Sequence, residues 1–245
     1  MKICILSAGV GSRIGSFTNM VNKALLPLNN KSILSHIIDH YNDKNVEFVI
    51  AVGHEKSSII DYIKVTYDNL NVTFVDIKNI TGPGSGPGHS LLKCKKYLQE
   101  PFILTTADTI VFEKCPALDN NWVGVSEVED TIDFCSFRIK DNQVIGIDDK
   151  ISTNNKYAWI GLAGIKDYNL FFSTLEHDQT SIKGETQISN GLNSLLDHNL
   201  KIQHFTWFDT GSIENYEATK KILEPKDFFD FSKKSFFIVI SSVKD

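Results

Sequence analysis

Short apolar runs of strand composition alternate with amphipathic helical segments through the first half of the chain, and that alternation limits the available folds most. "KICILS", "EFVIAV", "NVTFVDI" and "FILTT" are rich in β-branched and aromatic residues. Between them lie "SILSHIIDHY", "SSIIDYIKVTY" and "GHSLLKCKKYL", which carry apolar residues at helical spacing. In the first of these, Ile33, Ile37, Ile38 and Tyr41 share one face. Repeated strand-then-helix units predict a parallel sheet covered by helices, because a parallel crossover needs a long connection. The second half changes character. "WVGVSEVE", "FCSFRIKDNQVIGID" and "YAWIGLAGI" read as strands with little helix between them, and Asp141-Asn142 reads as a hairpin turn. Helices return at "NLFFSTL" and "QISNGLNSLLDH". "KIQHFTWF" reads as a strand that delivers Asp209 at its end, and "SIENYEATKKIL" as a closing helix with Ser212 as its cap. With no internal repeat and no low-complexity linker, the expectation is one α/β domain over 1–245, with a β-rich lid in its second half.

In an open α/β sheet, ligands bind beyond the carboxyl ends of the strands, and chemically informative stretches fall at such ends. The first is "ILSAGVGSRIG", Ile5 to Gly15. A dinucleotide-binding turn reads G-x-G-x-x-G, whereas here Gly9 and Gly11 are followed by Ile14, and Gly15 comes one residue late. No Gly-Lys-Ser/Thr follows, so it is not a Walker loop. Glycines still let backbone N–H groups face an anion, and Arg13 adds a forked cation suited to phosphate oxygens. Further on, Lys23 stands in the otherwise apolar "NKALLPL". "FILTTADT" ends in Asp108, an acid placed to hold a divalent cation at the mouth of the sheet, and Asp209 in "FDTGS" reads as a second metal ligand. Each residue alone also fits a turn, a cap or a solvated surface. Two carboxylates beside a basic glycine turn point to metal-assisted phosphoryl chemistry.

Composition excludes several other classes. The chain has 245 residues, 42% of them hydrophobic and 22% charged, with a formal charge of -5. No Lys/Arg-rich run stands out, so no nucleic-acid partner is expected. Cys4, Cys94, Cys115 and Cys135 form no Cys-x-x-Cys, and reduced thiols in a cytoplasmic protein are expected. The first apolar run is too short for a signal peptide, and Phe236 to Ile240 is too short to span a bilayer, so no membrane partner is expected. His36 and His40 stand at metal-compatible spacing, but they fall beside a polar helix face. The Phe-rich tail "DFFDFSKKSFFIVI" is read as core filler or the surface of a homodimer.

These motifs also carry a resemblance. "ILSAGVGSR", Lys23 in "NKALLPL", Asp108 in "TTADT" and Asp209 in "FDTGS" resemble the nucleotidyltransferases that activate sugar 1-phosphates and phosphocholine. The resemblance implies a Rossmann-like, mixed but mostly parallel central sheet flanked by helices. Residues 1 to about 120 would form the nucleotide half, and about 121 to 245 the acceptor half with its lid. It implies NTP and a phosphorylated acceptor as substrates, pyrophosphate as product, and Mg²⁺ on Asp108 and Asp209. Leu6, Ala8, Gly9, Gly11 and Ser12 would meet the nucleotide, Arg13 its β and γ phosphates, and Lys23 its α-phosphate. Ser85, Gly86 and Ser90, in "GPGSGPGHSLL", belong to the loop that reads the base. Lys150, in "GIDDKIS", would meet the acceptor phosphate, although the family's usual Glu-Lys-Pro reads Asp149-Lys150-Ile151 here. Gly164, in the strand Leu162 to Ile165, and Glu185 fall on the acceptor side.

Within that family the short chain looks most like the phosphocholine-type and phosphoglutamine cytidylyltransferases. CTP is therefore expected as donor, with a small phosphorylated amine or amino acid as acceptor, in capsule or surface polysaccharide modification. Tyr157, Trp159 and Trp207, with Asp133 and Glu185, are expected around an ammonium group, since aromatic faces and carboxylates suit a cation. The alternatives are a sugar-1-phosphate nucleotidyltransferase using UTP, dTTP or GTP, a metal-dependent glycosyltransferase, and a nucleotide-binding module without turnover. Ala107 disfavours the glycosyltransferase, which wants Asp-x-Asp at this strand end. No Ser-His-Asp or Cys-His arrangement suggests a protein nucleophile.

Overall fold

The computed structural model describes residues 1–18 and 20–223. The Phe-rich tail therefore lies outside the described residues.

Among the described residues nine strands form one sheet. In chain order they are β1 (Lys2–Leu6), β2 (Glu47–Val52), β3 (Val72–Asp76), β4 (Phe102–Thr106), β5 (Trp122–Glu127), β6 (Cys135–Lys140), β7 (Gln143–Asp149), β8 (Tyr157–Ile165) and β9 (Lys201–His204). Their spatial order is β3-β2-β1-β4-β8-β5-β9-β7-β6. The four strands of the first half pair in parallel, with Lys2 opposite both Glu47 and Phe102. Beyond β4 the sheet is mixed. β8 runs antiparallel to β4 and to β5, β9 runs parallel to β5, and the β6–β7 hairpin closes the far edge. The β-rich second half thus continues the main sheet through backbone hydrogen bonds.

Helices cover both faces: α1 (Ile33–Tyr41), α2 (Lys56–Thr66), α3 (Pro87–Cys94), α4 (Tyr168–His177), α5 (Ser189–Asn193) and α6 (Ile213–Leu223). Alternation along β1 divides the core. Ile3 and Ile5 join a cluster with Leu34, Ile38, Ile59 and Ile63, while Cys4 and Leu6 join one with Leu91, Phe171 and Leu192. Both faces of β1 are buried, as a parallel strand between helical layers requires. Phe102 stacks on Phe172 at 5.6 Å and meets Phe171 edge-on at 6.5 Å. Each such fully buried side chain contributes roughly 2 kcal/mol of transfer free energy. No helix among the described residues is long and apolar enough to cross a membrane.

Two expected elements come out shorter. The helix read in "QISNGLNSLLDH" is confined to α5 and a 3-10 turn at Leu196–His198. Ser, Asn and Gly hold helices poorly, and Gly191 is fixed by packing, since a Cβ there would lie 2.6 Å from the Phe171 ring. The strand "KIQHFTWF" ends at His204. Phe205 turns into the core, and Glu113 accepts the Thr206 N–H at 2.8 Å, diverting the chain. Phe208–Asp209 then forms its own two-residue strand, antiparallel to Thr109–Ile110. The Asp141-Asn142 turn is as expected, with φ of 50° and 63°.

Gly164 belongs to this packing. It faces Trp122 across the β8–β5 ladder, and a Cβ on it would lie 2.1 Å from the indole Nε1. Gly164→Ala should therefore cost about 1–3 kcal/mol through overpacking. Urea unfolding checks this, and an unchanged midpoint would mean that the indole yields freely.

Candidate active site

The carboxyl ends of β1 and β4 lie side by side, with Leu6 opposite Thr106, and the site is built on them. After β1 the chain is held by backbone bonds from Ser7 N–H to the Ala51 carbonyl and from His54 N–H to the Ala8 carbonyl, at 3.0 and 2.9 Å. It then opens into the glycine turn. Gly9 has free space around it, whereas Gly11 takes a left-handed φ of 69°. A Cβ on Gly11 would press on Thr18 and on the Lys23 side chain at 3.1 and 3.3 Å. Gly11 thus lets the Lys23 segment lie across the turn. Ser12–Thr18 follows as 3-10 helix interrupted at Gly15, with Arg13 exposed.

Lys23 opens a 3-10 turn, Lys23–Leu25, capped by the Asn22 side chain. Its ammonium meets Asp108 Oδ2 at 2.5 Å, and both side chains are only 16% exposed. Asp108 sits in the turn between β4 and Thr109. Thr109 donates its hydroxyl to the Ile160 carbonyl, and Thr106 fills the bulge of β8, where Gly161 adopts φ 80°. The Thr210 N–H donates to the Asp108 carbonyl at 3.0 Å and ties in the neighbouring segment. There Asp209 accepts from Gly211 N–H at 2.8 Å and from the Asn215 amide of α6 at 2.5 Å. A Cβ on Gly211 would lie 3.0 Å from Asp209 Oδ1, 3.2 Å from Arg13 Nη2 and 3.3 Å from Asp108 Oδ2. Three charged groups therefore converge on one glycine.

Their environments push the two carboxyl groups apart. Burial raises Asp108, but the adjacent Lys23 ammonium overrides it, and with Thr106 and Arg13 lowers the group to about 2. Asp209 is raised, first by burial and then by the negative charge of Asp108, against the Gly211 N–H, Asn215 and Arg13.

Arg13, Lys23 and Asp108 border a cavity of about 540 Å³. Of the expected nucleotide-side residues, Leu6, Ala8, Gly9, Gly11, Ser12, Arg13 and Lys23 line it, as do Gly86, Ser90 and Asp108. Lys150 and Glu185, expected on the acceptor side, line it too. Lys150 holds a left-handed φ of 55° and donates to Gln187 Oε1 at 3.1 Å. The loop over 82–88 is zipped to the segment 184–187: Gly84 N–H to Gly184, Thr186 N–H to Ser85 and Gly88 N–H to Thr186, at 2.8–2.9 Å. Gly86, with φ 109°, makes room for this, because a Cβ would meet the Thr186 carbonyl at 2.7 Å.

Asp209 does not itself line the cavity, although its neighbour Gly211 does, and four further expected site residues also lie away from it. Ser85 is fully buried and its hydroxyl donates to the Gly82 carbonyl at 2.7 Å, so it serves the loop itself. Trp159 donates to the Leu162 carbonyl at 2.8 Å and packs on the core. Trp207 packs edge-on against Phe134, and Gly164 faces Trp122 as described. Tyr157 points to Glu127 on the neighbouring strand. An aromatic box is therefore not assembled at this cavity, although Asp133 does line it. Lys183 and Gly211 also line it and were not foreseen. "KGE" carried a signal for the former: Lys183 and Gly184 both have positive φ, in a turn closed by reciprocal bonds between Ile182 and Glu185 at 3.0 Å. Asn22 gave no signal of its own.

Comparison with known proteins agrees with this architecture. Residues 3–115 match the family model described as the MobA-like NTP transferase domain. Bifunctional protein GlmU of Methanococcus maripaludis is 27% identical over 219 residues, which cover 86% of this chain and 51% of that protein. The chain thus spans about half the length of the curated relatives it matches. A UDP-glucose pyrophosphorylase solved with UDP-glucose superimposes with a TM-score of 0.77 at 19% identity, covering 90% of this chain and 97% of that one. The CTP:phosphocholine cytidylyltransferase LicC of Streptococcus pneumoniae gives 0.73 at 20% identity, covering 91% and 99%. The chain has the mixed α/β nucleotidyltransferase fold of these structures.

The Asp108 environment makes stability depend on pH. Its carboxyl lies at about 2, below roughly 3.9 in an unfolded chain, and this difference is worth about 2 kcal/mol. A lowered folded-state value stabilises fully above the unfolded value and is lost as pH falls through the folded one. The urea stability gap between wild type and Asp108→Asn should be constant from about pH 5 to 7 and change by about that amount between about pH 4 and 2. A gap that stays constant throughout would contradict the Lys23–Asp108 pairing.

Proposed function

We propose that this chain transfers a nucleoside monophosphate from an NTP to a phosphorylated acceptor and releases pyrophosphate. The observation that carries this reading is one cavity bordered by the glycine turn, Arg13, the Lys23–Asp108 pair and Lys150. The similarity of residues 3–115 to the MobA-like NTP transferase domain supports it.

In the proposed reaction an anionic acceptor phosphate oxygen forms a bond to the α-phosphorus. The bond from that phosphorus to the oxygen bridging toward the β-phosphorus breaks, and pyrophosphate leaves with the electron pair. The acceptor oxygen is already ionised near neutral pH, so no protein nucleophile or strong base is required. The chain's own residues align and neutralise. Backbone N–H groups of the glycine turn and Arg13 would hold the leaving phosphates. Lys23 would leave Asp108 for the α-phosphate, and Lys150 would hold the acceptor phosphate. Asp108 and Asp209 would hold Mg²⁺. They fit it: two carboxylates crowd Gly211 and repel one another, a strain that a divalent cation relieves. Among the described residues no cluster of three or more ligating side chains exists, and Mg²⁺ commonly takes one or two carboxylates together with substrate phosphates. Bound there, Mg²⁺ would neutralise charge on those phosphates.

For the substrates, a sugar 1-phosphate with UTP or dTTP is supported best. GlmU and UDP-glucose pyrophosphorylase are among the similar proteins, and the aromatic side chains expected around an ammonium group do not line the cavity. CTP with an amine-bearing acceptor is the second reading. It is favoured by Asp133 and Glu185 on the cavity wall and by the likeness in fold to LicC. A matrix of four NTPs against glucose 1-phosphate, N-acetylglucosamine 1-phosphate, phosphocholine and phosphoglutamine, read by pyrophosphate release, separates the two. The highest kcat/KM should fall on a sugar phosphate. The highest value on an amine acceptor with CTP would reverse the order, and no acceptor-dependent release would defeat the proposal.

Lys23→Ala should lower kcat by about two to four decades while the protein stays folded, because a lost transition-state charge contact costs several kcal/mol. Asp108→Asn and Asp209→Asn should each abolish turnover together with its Mg²⁺ dependence. Steady-state kinetics over a Mg²⁺ series checks all three. Near-normal turnover in Lys23→Ala, or full activity of either Asn variant at low Mg²⁺, would remove that residue from the site.

A further inference from the structure

We propose that Asn22 is a positioning residue that aims Lys23 into the cavity, an inference that rests on the nucleotidyltransfer reading for its kinetic consequence. Asn22 is polar yet completely buried, and it directly precedes Lys23. Its amide is used at both ends. Nδ2 donates to the Ser7 carbonyl and to the His54 carbonyl, both at 2.9 Å, and Oδ1 accepts from Ala24 N–H at 2.9 Å. Ser7 follows the last residue of β1, and His54 follows the end of β2. At such strand ends carbonyls leave the ladder and need another donor. One side chain therefore ties two strand ends to the first turn of the Lys23 segment.

The surroundings give this tie its effect. Met20 is 82% exposed and Val21 is 38% exposed, so the chain reaches Asn22 from a solvent-facing excursion. Asn22 is where that excursion re-enters the fold. From there the long, rotamer-rich lysine side chain must reach Asp108 through a site where both partners are 16% exposed. A lysine whose backbone is fixed retains the aim of its ammonium, whereas one on a loose segment does not. Few side chains could replace this arrangement. A serine or aspartate can cap the turn, but neither offers two N–H donors from one atom.

The link between Asn22 and Lys23 can be read without any substrate. The coupling between Lys23 and Asp108 is measured by urea unfolding of Lys23→Ala, Asp108→Asn and the double variant, once with Asn22 intact and once in the Asn22→Ser background. Serine retains a capping oxygen and removes both donors. The two substitutions should be non-additive with Asn22 intact and additive within error in the N22S background. Coupling that survives in N22S would overturn the proposal. Should Asn22→Ser not fold, Asn22→Gly, a tolerated cap that also lacks the donors, takes its place. Failure of both to fold would assign the amide to the fold alone and overturn the proposal as well. In pyrophosphate release, N22S should lower kcat about tenfold with little change in nucleotide KM. It should cause no further loss in the Lys23→Ala background, because the effect passes through Lys23. An equal N22S loss in both backgrounds would show a purely structural residue. A wild type that releases no pyrophosphate from any NTP would defeat the functional reading, while the unfolding cycle still decides the Asn22–Lys23 link.

Discussion

The ion pair between Lys23 and Asp108 organises everything around it. It joins the ends of two segments 85 residues apart in sequence, and it does so where both partners are largely removed from water. A carboxylate there is costly without a cation, and a lysine there is costly without an anion. Each makes the other tolerable. The pair also leaves both groups ready for exchange. In the proposed reaction an incoming phosphate would take the ammonium and a divalent cation the carboxylate, with little net change in buried charge. The nearby Asp209 is raised first by burial and then by the negative charge of Asp108.

The sheet exists in the form that makes this meeting possible. Parallel pairing of β1 with β4 brings the glycine turn and the Asp108 turn to one edge of the molecule. Antiparallel β8 then supports the Asp108 turn from the side, where Gly161 leaves room for Thr106 and the Ile160 carbonyl receives Thr109. The lining from Gly86 and Glu185 depends on a different device. The loop over 82–88 and the segment 184–187 share backbone hydrogen bonds, which hold Gly86 and Glu185 of the lining together. Gly86 and Gly88 permit this close approach of two backbones, since a Cβ on either would lie 2.7 Å from a carbonyl of the 186–187 segment.

Much of the parallel half was legible because local and global preferences agree there. The face formed by Ile33, Ile37, Ile38 and Tyr41 is the one that α1 buries, and the strand runs appear where their β-branched residues place them. The glycine turn, Arg13, Lys23 and Asp108 were legible as well, since unusual residues at strand ends stand out against an apolar background. What the sequence did not reveal was decided by packing and hydrogen bonding in the folded chain rather than by residue type. Nothing in "YAWIGLAGI" reveals that Trp159 bonds to the Leu162 carbonyl, or that Gly164 yields its space to Trp122. Nothing in "KIQHFTWFD" reveals that Glu113 diverts the chain at Thr206 and hands Asp209 to a separate short strand. Asn22 was invisible for the same reason, because an asparagine before a short turn reads as a surface cap until its two strand-end carbonyls are seen.

A single displacement at the α-phosphorus, without a covalent nucleotidyl-enzyme, is the central claim about this site. Exchange of labelled pyrophosphate into NTP tests it most directly. With the preferred nucleotide, label should enter the NTP pool only when the phosphorylated acceptor or the nucleotide-linked product is also present, because pyrophosphate can attack only that product. Rapid exchange with NTP and Mg²⁺ alone would require a nucleotide bound covalently to the protein. That result, or no exchange under any combination, would contradict the mechanism drawn from Lys23, Asp108 and their neighbours.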